Sequence, residues 1–224
     1  MMRKLFNALS QLHRGVLICG GFAAFMLFGA LLLMLPISQT GTKEVSFLDA
    51  LFMSVSIVSV TGMSMFDLKT DFTIFGQLVV LFLMQVGGLG IMTMMAMVGI
   101  SRGRKIRLQE RLLIRDSFKT PSGMVMLVRK IILMTLSIEF CAGTILAAYF
   151  FTQNGWIGIY QGYWHAVSAF TNCGMDIMGN DVGFAGMAAN PLVSTVVCIS
   201  MFLGGVGFIA LDDLLRHHSW SALT

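Results

Sequence analysis

Apolar residues dominate four long stretches of the chain, 15–37, 72–100, 126–151 and 189–211. Two shorter apolar stretches, 46–58 and 162–170, lie between the members of each pair. An α-helix rises about 1.5 Å per residue, and about 20 apolar residues cross a hydrocarbon core about 30 Å thick. The four long stretches are therefore read as spanning helices. The second would reach about 44 Å if wholly helical, so it tilts or projects past the bilayer. The stretch 46–58 reaches only about 20 Å, too little to cross, and is read as a buried or re-entrant half-helix or a surface helix. The pattern long, short, long occurs twice. It divides the chain into a first unit (1–101), a connector (102–125) and a second unit (126–224).

The first long stretch follows Arg3, Lys4, His13 and Arg14 and meets Pro36 near its end. A signal-peptide core is about 7–15 residues long and precedes a small-residue cleavage site. This stretch is longer and ends in Leu35-Pro36-Ile37, so it is read as a retained span.

The two units also match in detail. Superposing Gly62 on Gly174, 112 residues later, aligns Val55 with Val167, Ser56 with Ser168 and Met63 with Met175. Five extra residues in the second copy bring Gly87-Gly88-Leu89-Gly90 onto Gly204-Gly205-Val206-Gly207. If each unit begins and ends on the same side, the repeats are parallel about an axis along the membrane normal, unlike the inverted repeats of many carriers. That predicts an all-α membrane protein of two membrane–pore-helix–membrane units with re-entrant loops.

Composition narrows the class further. The chain is 56% hydrophobic and 12% charged, against about 25% charged in soluble domains, which leaves no room for a large catalytic domain. Cys19, Cys141, Cys173 and Cys198 are widely separated and suggest neither a disulfide framework nor a zinc site. No nucleophile–base pair or phosphate loop is apparent: Gly87 to Gly90 lack the lysine and strand of a P-loop. The reading is not an enzyme, with no cofactor.

The net charge of +4 is segregated. If the termini and the basic segment 101–130 are cytoplasmic, they hold 13 of the 15 Lys and Arg, and the outer loops hold only Lys43 and Lys69. This asymmetry predicts a multi-pass plasma-membrane protein with both termini inside; nucleic acid is not needed to explain it. The basic connector is a topology determinant, an anionic-lipid contact or a docking site. Glu44, Asp49, Asp67, Asp71, Asp176 and Asp181 fall in the outer loops. They are read either as an acidic vestibule for cations or as a by-product of excluding Lys and Arg.

Non-helical backbone at membrane depth is tolerated only where protein buries it or it lines a water-filled path. A half-helix followed by Val60-Thr61-Gly62-Met63-Ser64 fits the second case, with carbonyls turned inward to replace the hydration shell of an alkali cation. Gly62 and Gly174 would supply dihedrals that a side chain disfavours.

Residues 54–62 (SVSIVSVTG), Phe75-Gly76-Gln77-Leu78 and residues 85–93 (QVGGLGIMT) resemble the first pore unit of the Trk/Ktr/HKT potassium transporter superfamily. Residues 164–174 (WHAVSAFTNCG) with 204–208 resemble its second unit, and the chain is most similar to the Ktr-type membrane subunit. The resemblance implies four such units around one pore, potassium uptake open to stimulation by sodium, and a cytoplasmic nucleotide-binding ring as regulatory partner. It places Val60, Thr61 and Gly62 in the first filter strand and Asn172, Cys173 and Gly174 in the second. Cys173 departs from the small residue expected there, although a backbone carbonyl serves whatever the side chain. Only two of the four units are present, so the pore requires a second copy of the chain or a missing second half. The competing expectation is a non-conducting membrane interaction protein that pairs with full-length relatives or a regulator.

Gly87, Gly88, Gly90, Gly204, Gly205 and Gly207 are read as packing glycines of the spans. Glu139 lies near the middle of the third span, where an ionisable group is costly. It is either a functional acid or a structural partner between helices. Gln85 is expected to hydrogen-bond between helices. His165, beside Trp164, is expected to pack rather than bind metal, and His217-His218 lacks a third ligand.

Overall fold

The structure, a computed structural model, describes residues 14–101, 121–179, 183–207 and 211, with side chains described for 19–90, 129–179, 183–207 and 211. The described residues form six α-helices: α1 (Arg14–Leu33), α2 (Phe47–Val58), α3 (Ile74–Ser101), α4 (Pro121–Asn154), α5 (Trp156–Phe170) and α6 (Pro191–Val206). Short 3-10 turns occupy Pro36–Ser38 and Gly183–Met187. No strand occurs among the described residues, only an isolated bridge between Gln39 and Phe72. The basic segment 102–120, Asp181 and the His217-His218 pair lie outside the described residues.

Local chemistry explains where the helices begin and end. α1 stops at Leu33, ahead of Pro36, which opens a 3-10 turn, so the helix is shorter than the apolar stretch 15–37. α2 starts from a capping box: Ser46 accepts from the Asp49 backbone N–H, and Asp49 accepts from the Ser46 backbone N–H at 3.0 Å. This reciprocal pair satisfies two otherwise orphaned donors. α4 begins at Pro121, the first helical position, where a missing N–H costs nothing. Pro121-Ser122-Gly123 thus opens a helix, which begins inside the segment 102–125 read as the connector. α5 is longer than the apolar stretch 162–170 because Gly155, at φ +62°, turns the chain directly from α4 into it. Asn190 caps α6 by accepting from the Leu192 and Val193 N–H groups.

Among the described side chains, Arg129–Asn154 is long and apolar enough to cross a membrane alone. Cys19–Leu33, Ile74–Gly90 and Pro191–Val206 are shorter apolar stretches. Lipid offers no hydrophobic incentive for one apolar helix to leave it for another, so small residues and interhelical hydrogen bonds hold such helices together. Both are present. A Cβ at Gly158 would overlap the Phe150 backbone, and one at Gly162 the Ala147 backbone, so this glycine pair one turn apart lets α5 lie directly on α4. Gly29 leaves α1 room for the Ser54 hydroxyl of α2, which donates to the Met26 carbonyl at 2.6 Å.

One buried cluster joins Ala30, Met53, Ile57, Val80 and Leu83 of α1–α3 and extends to Trp164, Cys173, Met175 and Ile177 of the second half. A second gathers Leu146, Phe150, Ala166 and Val193 of α4–α6.

Candidate functional site

Both half-helices run into a turn built the same way. After α2, the backbone N–H groups of Thr61 and Gly62 both donate to the Ser56 carbonyl, at 2.8 and 3.3 Å. After α5, those of Cys173 and Gly174 donate to the Ser168 carbonyl, at 3.1 and 3.4 Å. The Ser56 hydroxyl donates to the Met63 carbonyl at 2.8 Å, and the Ser168 hydroxyl to the Met175 carbonyl at 2.6 Å. Each serine therefore clamps both ends of its turn.

Within a trans peptide the C=O and N–H point in opposite directions. Tying the N–H groups of Thr61 and Gly62 back to α2 turns the carbonyls of Val60 and Thr61 away from it. The carbonyls of Asn172 and Cys173 are turned away from α5 in the same manner. The turns need left-handed backbone at Val60 (φ +58°), Gly62 (φ +74°), Asn172 (φ +61°) and Gly174 (φ +74°). Asn tolerates that region, but for a β-branched valine it is a true outlier. The strain at Val60 is on the order of 1–3 kcal/mol, held by the serine clamp and the surrounding core.

The two turns meet. A Cβ at Gly62 would overlap the Cys173 carbonyl oxygen, so the carbonyl of the second turn lies directly on the first turn's glycine. Among the described residues, nothing meets a Cβ at Gly174 within 4 Å. Both glycines line a cavity of about 750 Å³ together with Ser64, Asp67, Thr70, Asp176 and Gly183. Of the six predicted filter residues, Gly62 and Gly174 line this cavity, together with the acids Asp67 and Asp176, while Val60, Thr61, Asn172 and Cys173 are not among its lining residues.

The spans press on these turns from behind. A Cβ at Gly87 of α3 would overlap the Val58 carbonyl at the end of α2, and one at Gly204 of α6 the Phe170 carbonyl at the end of α5. Gly88 sits against Thr171, so α3 touches the ends of both half-helices, and Gly90 faces the Phe22 ring of α1. Among the described residues, Gly205 has only the Asn172 amide near it. Gly207 departs from its counterpart Gly90: at φ +84° it caps the end of α6, whereas Gly90 lies inside α3.

Glu139 is buried, and its Oε2 accepts from Gln85 Nε2 at 3.1 Å, joining α4 to α3. Its Oε1 is buried and has no hydrogen-bond partner among the described residues. His165 is also buried, with Nδ1 2.7 Å from the Gln161 carbonyl and its ring stacked on Phe184 at 4.5 Å. It is enclosed by aromatic residues, and no group of three metal-ligating side chains occurs among the described residues.

Of the six loop acids singled out in the sequence, the five described ones do different work. Asp67 and Asp176 line the cavity. Asp49 caps α2 and Glu44 is exposed. Asp71 is buried away from the cavity, accepting from the Thr42 hydroxyl at 2.9 Å, Lys43 Nζ at 3.1 Å and the Asp67 N–H at 3.0 Å. Burial would raise its pKa, but these hydrogen bonds and the Lys43 charge outweigh that and hold the carboxyl below its ordinary value of 3.8.

Gln77 joins the two halves in a way that sequence reasoning did not foresee. Its amide donates to the Leu68 carbonyl at 2.9 Å and accepts from the Tyr160 hydroxyl at 3.1 Å. Trp164 Nε1 donates to the Gln77 carbonyl at 3.4 Å. The Phe75-Gly76-Gln77-Leu78 motif was the available signal, but not its partners 83 and 87 residues away.

Comparison with known proteins places these features in a family. Residues 24–222 match the family model TrkH, a cation transport protein. The chain is 37% identical over 207 residues to the Ktr system potassium uptake protein B of Bacillus subtilis, covering 91% of this chain and 46% of that protein. It is 34% identical to the Ktr system potassium uptake protein D of the same organism (94% and 47% covered). It is 30% identical to the potassium/sodium uptake protein NtpJ of Enterococcus hirae (93% and 46%). The chain spans about half the length of the curated relatives it matches. With the family model covering nearly its whole length, the chain belongs to the TrkH family of cation transport proteins, integral membrane proteins of the Trk/Ktr superfamily, and is of the Ktr type.

Proposed function

We propose that the chain forms half of a potassium uptake pore, with Val60, Thr61, Gly62, Asn172, Cys173 and Gly174 contributing backbone carbonyls to its filter. The observation that carries this reading is the pair of serine-clamped turns, packed with the Cys173 carbonyl on Gly62. Such carbonyls replace the hydration shell of an alkali cation, and potassium then moves passively down its electrochemical gradient. Two units line two sides; a second copy of the chain or a complementary half supplies the other two. Both termini lie in the cytoplasm, where a nucleotide-binding ring regulates the pore. Sodium acts as a stimulating ion, in keeping with the potassium/sodium uptake named for the Enterococcus relative.

The test is growth at low potassium of a cell lacking its own potassium uptake, expressing this chain. Rescue abolished by Gly62→Asp supports the pore. No rescue from a correctly inserted chain, alone or with a complementary half, overturns it and favours a non-conducting partner of full-length relatives.

A further inference from the structure

Lys43 and Lys69 belong to the outer loops, and their ammonium groups are engaged differently. Lys43 pairs with Asp71 at 3.1 Å. Lys69 has no ion pair among the described residues; its Nζ donates to the Met178 carbonyl at 2.7 Å, 109 residues along the chain. Its stem lies along Gly179, where a Cβ would meet the Lys69 Cβ at 3.3 Å. Its own N–H donates to Asp67 Oδ1 at 2.8 Å. Asp67 and Gly179 both line the cavity that holds Gly62, Gly174 and Asp176. An ammonium carried by the first half is thus anchored to the second half beside residues that line a cavity bearing two carboxylates.

We propose that Lys69 sets the affinity with which cations enter this cavity from outside, by offsetting the attraction of Asp67 and Asp176. The inference rests on the cavity being the mouth of the potassium path. A cation arriving in the cavity meets a fixed like charge that the Met178 carbonyl prevents from swinging aside. For unit charges about 8 Å apart in water at low ionic strength, that repulsion changes occupancy about twofold, and more at closer range. Lys69 therefore keeps the entry site from saturating at low external potassium. It acts on the ion through the field alone and is a positioning residue of the mouth rather than a ligand.

The test compares potassium uptake by the wild-type chain with Lys69→Met and Lys69→Arg across external potassium concentrations, at low ionic strength and with excess impermeant salt. Lys69→Met is expected to lower the half-saturating concentration about two- to fivefold at low ionic strength. The change falls on that concentration rather than on the maximal rate, shrinks in high salt, and is absent in Lys69→Arg. An unchanged Lys69→Met, the same shift in Lys69→Arg, or a shift that persists in high salt overturns the proposal. The anchor has its own readout: Lys69→Cys with Gly179→Cys should form a disulfide on mild oxidation, mapped by mass spectrometry, because the Cβ separation lies within a few tenths of an ångström of disulfide geometry. Absence of that bridge overturns the anchoring whether or not the chain conducts. A wild-type chain that takes up no potassium overturns the pore itself, whereas wild-type uptake with an unchanged Lys69→Met overturns the role of Lys69 alone.

Discussion

The α-carbon of Gly62 packs against the carbonyl oxygen of Cys173 so closely that no side chain fits between them, and Gly62 itself has φ +74°. Gly174 shares the φ of +74°, but among the described residues nothing lies where Gly62 meets that carbonyl. The two glycines thus separate backbone strain from steric overlap. Gly174→Ala is expected to destabilise the purified chain by about 1–2 kcal/mol through its left-handed backbone. Gly62→Ala carries the same strain plus the overlap. Thermal unfolding in detergent checks this: Gly62→Ala should unfold at the lower temperature, and equal losses would contradict the contact.

Ser56 and Ser168 make matching bonds to the Met63 and Met175 carbonyls. Replacing either with Ala removes a donor from a carbonyl in the turn, at about 1 kcal/mol. The clamps sit in separate turns, so their effects on stability should add to within about 0.5 kcal/mol. Loss of either clamp frees the left-handed residue inside its turn. Discrimination between potassium and sodium, measured by competition in uptake, should fall more than the maximal rate.

Gln77 holds the first half's outer loop and the second half's α5 at once. Tyr160→Phe removes one hydrogen bond and should cost about 1 kcal/mol, whereas Gln77→Leu also leaves the Leu68 carbonyl unpaired and should cost about 2–3 kcal/mol. Limited proteolysis of the outer loops should quicken in the order wild type, Tyr160→Phe, Gln77→Leu.

The Gln85–Glu139 bond links α3 to α4. Hydrogen bonds between membrane helices average about 0.6 kcal/mol in double-mutant cycles and reach about 1.7. A cycle of Gln85→Ala and Glu139→Ala should give a coupling in that range, while Glu139→Gln, which keeps an acceptor, should stay near wild type. Zero coupling would dismiss the bond as a contributor.

Asp71 has a depressed carboxyl pKa in the folded chain, below its ordinary value of 3.8. A group whose pKa is lowered by folding stabilises the fold above its ordinary pKa, and that stabilisation is lost as pH falls through the folded value. The excess stability of wild type over Asp71→Asn should therefore be constant from pH 7 to about pH 5 and shrink below pH 3.8. An unfolding series across that range reads it directly.

Much of the architecture was legible from periodicity. Helix number and order follow from the apolar stretches, with Pro36 and Ser46 marking two of the boundaries, because spanning length, capping and turn chemistry act over a few residues, whereas the early start of α5 at Gly155 was not legible. The six turn residues 60–62 and 172–174 were candidates through the family resemblance, and Gly62 and Gly174 in addition recur in equivalent places. Their serine clamps were visible only as an aligned Ser56 and Ser168, without the direction of either hydroxyl. The acids were less legible: Asp71 reads like Asp67 in sequence, yet one is buried in a loop staple and the other lines the cavity.

The sequence by itself determined that the chain is helical, apolar and twofold in pattern, since local propensities and hydrophobic periods are written in neighbouring residues. Only the tertiary structure decided that Gly62 lies on the Cys173 carbonyl, that Gln77 holds Tyr160, and that the Lys69 ammonium reaches Met178. Those contacts join residues 83 to 111 positions apart, and no local period encodes them. They arise from the angle at which two half-helices and their spans pack, which small residues allow and hydrogen bonds then fix.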